Sequence, residues 1–501
     1  MKAMMSVAIL FTLFNAAWAA PAVEHDLLAP MRVLRLDNGM VFLIYPSGRG
    51  PVFSGVIRFD VGGKDEKPGS TGIAHMFEHM AFKGTPRIGT TDHAKEKPAL
   101  DKVARAARRY DRLRAQAAEP WADKTRLEPE LEAARKEFEA AQKDAQQYVV
   151  PNEFDQIYSR EGGADMNATT SSDATTYFVS LPANRLELWM RMESMRIARP
   201  VMREFYKERS VVLEERRMRS DNDPTNRLWD LLVATAFVAS PYGYPVIGWG
   251  DDIANLEADE ALRFHEANYT PDRAVGVLVG DLDVEKTEAL VRKYFGPLAP
   301  RPEGAEPERI TAEPAQAGPR RAELAVEAQP TLLIGWHKPS APDPADVQAE
   351  LLMQVITGGR SSRWFEKLVK RERLAADIAA FSGPGEVLPN LFMIFATPQG
   401  KTSLDQLEAA ILGEIDRLRR EPPTADELAA AKKMLRADTM RTLEDNLGMA
   451  RELAEAAQIG RDPYYLEERL RQIEAVTAAD IQNFARQYLA RNNMTVARMG
   501  K

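Results

Sequence analysis

Apolar positions along the chain change their period from stretch to stretch, and each change marks an element. Residues 40–45 and 55–61 are short runs rich in β-branched and aromatic side chains and predict two strands. Asp37-Asn38-Gly39 supplies a turn before the first, and Gly62-Gly63 ends the second. The following run from Gly72 to Lys83, dense in Ala, Met, Phe, Glu and Lys, suits a helix. Ser70-Thr71-Gly72 is a candidate cap for it, and Gly84-Thr85-Pro86 stops it.

From about Thr91 the period becomes that of a heptad seam. Leu100, Val103, Ala107, Tyr110, Leu113 and Ala117 alternate spacings of three and four, as do Leu127, Leu131, Ala134, Phe138, Ala141, Ala145 and Tyr148. Two such seams separated by Glu119-Pro120-Trp121 predict an antiparallel helical hairpin inserted over about residues 96–149. Each arm would be roughly 30 to 40 Å long at the α-helical rise. Its surface is charged, so the expectation is a solvated arm or docking surface, without chemistry.

Residues 162–180 read as a polar strand, a turn and a β-branched strand, and helices follow over 184–199 and 202–219. Another helix, a strand over 273–280 and a helix over 284–295 complete a first half. Residues 298–320, rich in Pro, Glu, Ala and Gly, read as a linker. The order then repeats: a strand over 331–336, helices over 345–356 and 360–373, paired strands near 375–381 and 391–397, then helices to the C-terminus. The repeat is one of pattern rather than identity. It divides the chain at 20–297 and 321–501.

Composition adds bounds. The 501 residues are 45% hydrophobic and 28% charged, enough for several cores, and the net charge of −8 comes with no basic, aromatic-studded stripe of the kind a nucleic-acid surface needs. Lys2, an apolar run from Val7 to Phe14 and Ala17-Trp18-Ala19 form a secretory signal, residues 1–19, cut after Ala19. That implies export across the inner membrane into the periplasm, and the apolar run is too short for a membrane anchor. The absence of cysteine permits this compartment without requiring it.

The candidate chemistry lies in the first helix. His75 and His79 are four residues apart, hence on one face, and two imidazoles so placed can close on one Zn²⁺. Glu78, three residues after His75, reaches the same patch where a general base for a metal-held water would sit. This H-x-x-E-H order inverts the commoner zinc-protease motif. A third ligand would be a carboxylate, and the 202–219 helix offers Glu208, Glu214 and Glu215. Glu208 and Glu215 share a face there, while Glu214 points about 100° away.

Three stretches in this order, His75 to Thr85, Asn167-Ala168 leading to Thr176-Tyr177, and Glu208 to Glu215, resemble the pitrilysin/insulinase family of zinc peptidases. The gap from His79 to Glu215 is longer than that family usually shows, and the hairpin accounts for the excess. The resemblance implies an α+β chain of two related domains, each a mostly antiparallel sheet covered by helices. It implies one Zn²⁺ per chain on His75, His79 and Glu215, with Glu78 as base and Glu208 supporting the ligand helix. Asn167 and Ala168 would lie on a sheet edge that adds a bound peptide as a strand. The activity implied is hydrolysis of peptide bonds in unfolded peptides; the alternative is a non-catalytic subunit of a two-chain assembly. The family's second half carries an Arg and, seven residues on, a Tyr that steady the oxyanion. Anchoring on Leu374-Ala375 puts Val369 and Ala376 at those positions, and neither has a donor. The implied partner is therefore a second chain of the family supplying that pair, with a homodimer as the other arrangement.

Overall fold

Strands buried on both faces organise each half. The protein is described as a computed structural model over residues 27–301 and 309–500, so the expected export signal lies outside the described residues. The first sheet comprises β1 (Arg32–Arg35), β2 (Val41–Pro46), β3 (Val52–Phe59), β4 (Ala164–Thr170), β5 (Thr175–Pro182) and β6 (Ala274–Gly280), in the order β1-β2-β6-β3-β5-β4. The second comprises β7 (Arg320–Leu324), β8 (Thr331–Lys338), β9 (Ala375–Gly383), β10 (Asn390–Pro398) and β11 (Met494–Met499), in the order β7-β11-β8-β10-β9. The two match strand for strand. Each has one parallel pair, β2 with β6 and β7 with β11, and is otherwise antiparallel, while β1 is extra to the first.

The first half carries helices α1 (Ile73–Met80), α2 (His93–Ala118), α3 (Lys124–Gln146), α4 (Glu153–Arg160), α5 (Leu186–Ala198), α6 (Phe205–Arg216), α7 (Pro224–Ala236), α8 (Gly250–Asn255), α9 (Ala258–Asn268) and α10 (Val284–Phe295). The second carries α11 (Pro344–Thr357), α12 (Leu404–Arg420), α13 (Ala425–Thr442), α14 (Asn446–Gly460), α15 (Tyr465–Ala475) and α16 (Ala478–Tyr488). On one face of the first sheet, Trp189 and Met190 of α5 and Val291 and Phe295 of α10 pack against Phe42, Phe53, Ile57 and Phe59. The other face is closed by the opposite half: Met449, Ala450, Leu453 and Ala457 of α14 cover Leu43, Val56, Val277 and Val279. Reciprocally, Leu228, Leu232 and Val233 of α7 cover Leu333, Leu391, Met393 and Ala497 of the second sheet.

Two sequence expectations for the second half change. The chain ends in strand β11, between β7 and β8, rather than in helices. Buried along almost its whole length, β11 lacks the in–out alternation that would announce it. The helix expected over 360–373 is shorter and wider, a π-helix over Phe365–Arg371 that follows the fully buried Trp364 and ends before Arg373, where φ is +52°.

The hairpin also differs from a free arm. Its outer part has a small core of its own, Leu113, Leu127 and Ala134 with Tyr110, Ala117, Ala122 and Leu131 packed against them, and Trp121 at the tip is 81% exposed. At its root, Val103, Ala106, Ala107, Ala141 and Ala145 share one core with Ile73, Met76 and Met80 of α1 and Phe205, Tyr206 and Val212 of α6. Heptad spacing shows that two helices pair; it does not show that the pair also packs on a third and a fourth.

Candidate metal centre

Helix α1 separates two kinds of side chain. Ile73, Ala74, Met76, Phe77 and Met80 are buried, which turns His75, Glu78 and His79 toward α6 and β4. The N-cap position is Gly72, within the expected Ser70–Gly72 stretch, but no side chain of that stretch caps the helix. Thr71 Oγ1 instead donates to Asp252 at 2.6 Å and accepts from the Trp249 N–H, while the N–H groups of Gly72 and Ala74 donate to the Glu66 carboxylate at 2.8 and 2.9 Å. Glu66 thus does the work of an N-cap from outside the helix. Gly72 is needed at the bend: its φ is +86°, and a Cβ there would lie 2.5 Å from the Ile247 carbonyl oxygen.

Glu215 Oε2 lies 3.5 Å from His79 Nε2 and 3.8 Å from His75 Nε2, and the ligand atoms of the three residues all fall within 4.8 Å of one another. Ligand atoms around a tetrahedral zinc stand roughly 3.4 Å apart, given bonds of about 2.0–2.1 Å, so two imidazoles and one carboxylate oxygen suit that ion in both chemistry and spacing. On its other ring nitrogen, His79 Nδ1 is 3.3 Å from Glu208 Oε2, and Glu208 is in turn paired with Lys83. A carboxylate in this position can fix an imidazole's tautomer and direction. Glu214 faces away, paired with Arg217 and exposed.

Electrostatics separate the two histidines. Burial, with the neighbouring His79 and Arg219, pushes His75 down to about 3, so it presents a neutral imidazole. Burial opposes the charged form of His79 as well, but the Glu208 hydrogen bond and Glu215 outweigh it and raise the pKa. Burial also opposes ionisation of Glu208, yet His79 and Lys83 bring it down to about 2. Burial raises Glu78, and the Thr170 hydroxyl, donating to Glu78 Oε2 at 2.5 Å, partly offsets this.

Thr170 closes β4, the edge strand that carries Asn167 and Ala168. Ala168 is buried and Asn167 exposed, and the Asn167 side chain accepts the Ala168 N–H at 2.8 Å. In the second half, Val369 is half-buried against the second core and Ala376 is exposed at the start of β9. His337 donates from Nε2 to the Ala236 carbonyl at 3.0 Å, a structural role. Four residues that hold the site escaped the sequence reading. Lys83 and Arg219 sit four positions after His79 and Glu215, a helical spacing that could have flagged them. Thr170 reaches the site through tertiary closure, and Glu66 through the irregular loop just before α1, where no periodic pattern flags it.

An α+β chain of two matching halves, with a histidine pair and a carboxylate converging beside a sheet edge, has the makings of a metallopeptidase. Its matches agree. Residues 143–249 match the family described as Insulinase (Peptidase family M16), and residues 255–435 match the Peptidase M16 inactive domain. The chain belongs to this pitrilysin/insulinase family, M16. It is 27% identical over 459 residues to the zinc protease PqqE of Helicobacter pylori, covering 90% of this chain and 89% of the relative. It is 26% identical over 444 residues to an uncharacterised zinc protease of Mycobacterium bovis, covering 86% and 84%. The fold superposes on the crystal structure of a Helicobacter pylori protease with TM-score 0.77 at 24% identity, over 94% of this chain and 99% of that one. The periplasmic protease PqqL of Escherichia coli gives TM-score 0.66 at 18% identity, with 96% of this chain spanning 48% of PqqL. The insulinase match starts at residue 143, at the end of the hairpin.

Proposed function

We propose that the chain is a zinc-dependent endopeptidase or oligopeptidase acting on unfolded peptides. The observation that carries this reading is the convergence of His75, His79 and Glu215 beside Glu78. Zinc, when bound, supplies a Lewis acid that polarises a peptide carbonyl and lowers the pKa of water to near 7. Glu78 takes the water's proton and returns it to the leaving amine, a role that suits a carboxylate whose pKa burial raises. Thr170 occupies Oε2 and leaves Oε1 for the proton. A peptide adding to the β4 edge would swing the Asn167 amide off the Ala168 N–H and take that donor for its own backbone. We also propose that a second family chain completes the site, since Val369 and Ala376 offer no oxyanion donor, and that the protein works in the periplasm, the compartment of the similar periplasmic protease PqqL of Escherichia coli.

The test is metal content together with cleavage of unfolded peptides. His75→Ala, His79→Ala and Glu215→Ala should strip zinc, Glu78→Gln should keep zinc and lose turnover, and Glu214→Ala should change neither. Near-native turnover in Glu78→Gln would remove it as the base. A second reading, a non-catalytic assembly subunit, is favoured by the same missing donors. Bound zinc with no turnover under any partner condition would select it.

A further inference from the structure

Arg219 is the one cation paired with a residue of the ligand triad, among the described residues. Its Nη1 lies 2.8 Å from Glu215 Oε1, while the other oxygen, Oε2, faces the two histidines at 3.5 and 3.8 Å. The Glu215 side chain is 16% exposed and that of Arg219 72%, so the ligand is enclosed and the guanidinium closes it from the solvent side. Beyond Arg216 the helix widens over Arg217–Asp221 into a π turn, with the Asn222 N–H donating to the Arg217 carbonyl at 2.9 Å. Arg216 anchors this turn: it is buried, donates to the Gly248 carbonyl and lies over the Trp249 ring at 5.4 Å. Single wide turns of this kind recur where a helix must aim a side chain.

From this geometry we infer that Arg219 is a positioning residue that ties up one oxygen of Glu215, so that the carboxylate presents only the other to the metal. The inference rests on the proposed zinc site and deepens it. A carboxylate free at both oxygens can bind in a two-point mode, which would raise a site of three protein ligands and one water from four- to five-coordinate. A guanidinium donor on Oε1 removes that option. The role parallels that of Glu208 on His79, but acts on the anionic ligand.

The experiment loads the full-length chain with Co²⁺, whose visible d–d band weakens as four-coordinate sites become five-coordinate, and measures Zn²⁺ affinity by chelator competition. Arg219→Met is compared with Arg217→Met, which removes the same charge from the same turn but frees only Glu214. The expected result is a weakened, shifted cobalt band and a 10- to 100-fold change in zinc affinity in Arg219→Met, with Arg217→Met matching the parent. A parent-like cobalt band in Arg219→Met overturns the inference, as does an equal change in both variants, which would be a bulk-charge effect. A parent chain that takes up neither ion would instead remove the metal site itself, so the two failures are distinct.

Discussion

Arg203, in the loop before α6, closes a fully buried two-point ion pair on Glu96, in the first turn of α2. The same guanidinium donates to the carbonyls of Lys83, Thr85 and Ile88, the loop by which the chain leaves the histidine helix. The hairpin root and the metal-site helix are therefore tied through one side chain.

Breaking this pair leaves a buried charge without its partner. Glu96→Gln or Arg203→Met should cost about 3–5 kcal/mol, read in denaturant unfolding. Exchanging residues 96–147 for a short loop should cost the fold and with it zinc binding, contrary to what a free insertion would allow. Replacing only 116–131, beyond the shared core, should leave both in place. If the larger deletion gives soluble, zinc-loaded protein, the hairpin root is dispensable.

Glu66→Gln tests the external cap of α1. An amide oxygen can accept one of the two N–H groups, and its NH₂ faces the other, so the change should cost about 1–3 kcal/mol and weaken zinc retention against a chelator. Parent-like melting and parent-like zinc retention together would show that Gly72 and Asp252 suffice to start the helix.

His265, 7% exposed, stacks on Phe77 of α1 at 4.7 Å, and burial brings its pKa down to about 4. Between pH 6.5 and 4 the unfolded chain then binds a proton that the folded chain refuses. Stability should fall on acidification through that window, by up to about 3 kcal/mol from this group. In His265→Phe the unfolding midpoint should depend less steeply on pH from 6.5 to 4; an unchanged slope would assign the acid sensitivity elsewhere.

If the oxyanion donors come from a second chain, purified lone protein should hold zinc yet cleave unfolded peptides about 10²- to 10³-fold more slowly than with a co-expressed sister chain. Full activity from the lone chain would sink the two-chain arrangement.

The site was legible where its groups share a helix. His75, Glu78 and His79 follow from spacing alone, and the helical phase that groups Glu208 with Glu215 and excludes Glu214 agrees with their directions in the structure. What stayed hidden was either distant in sequence, as Thr170 on Glu78 across 92 positions and β11 beside strands more than 150 residues upstream, or, as with Glu66 on the Gly72 N–H six positions on, a contact across an irregular loop with no helical or strand period to announce it. The hairpin shows the same limit, since its heptads predict a pair but not the α1 and α6 side chains packed beneath it.

The crossing of α14 and α7 gives the two halves a mutual dependence. A fragment ending at the linker would expose Leu43, Val56 and Val277, while the remainder would expose Leu333, Leu391 and Met393, each a bare apolar floor. A cut linker should therefore release nothing: the two pieces stay clasped and co-purify, whereas either made alone collects in aggregates. In this protein the unit that folds is the pair, because each half lends the other its roof.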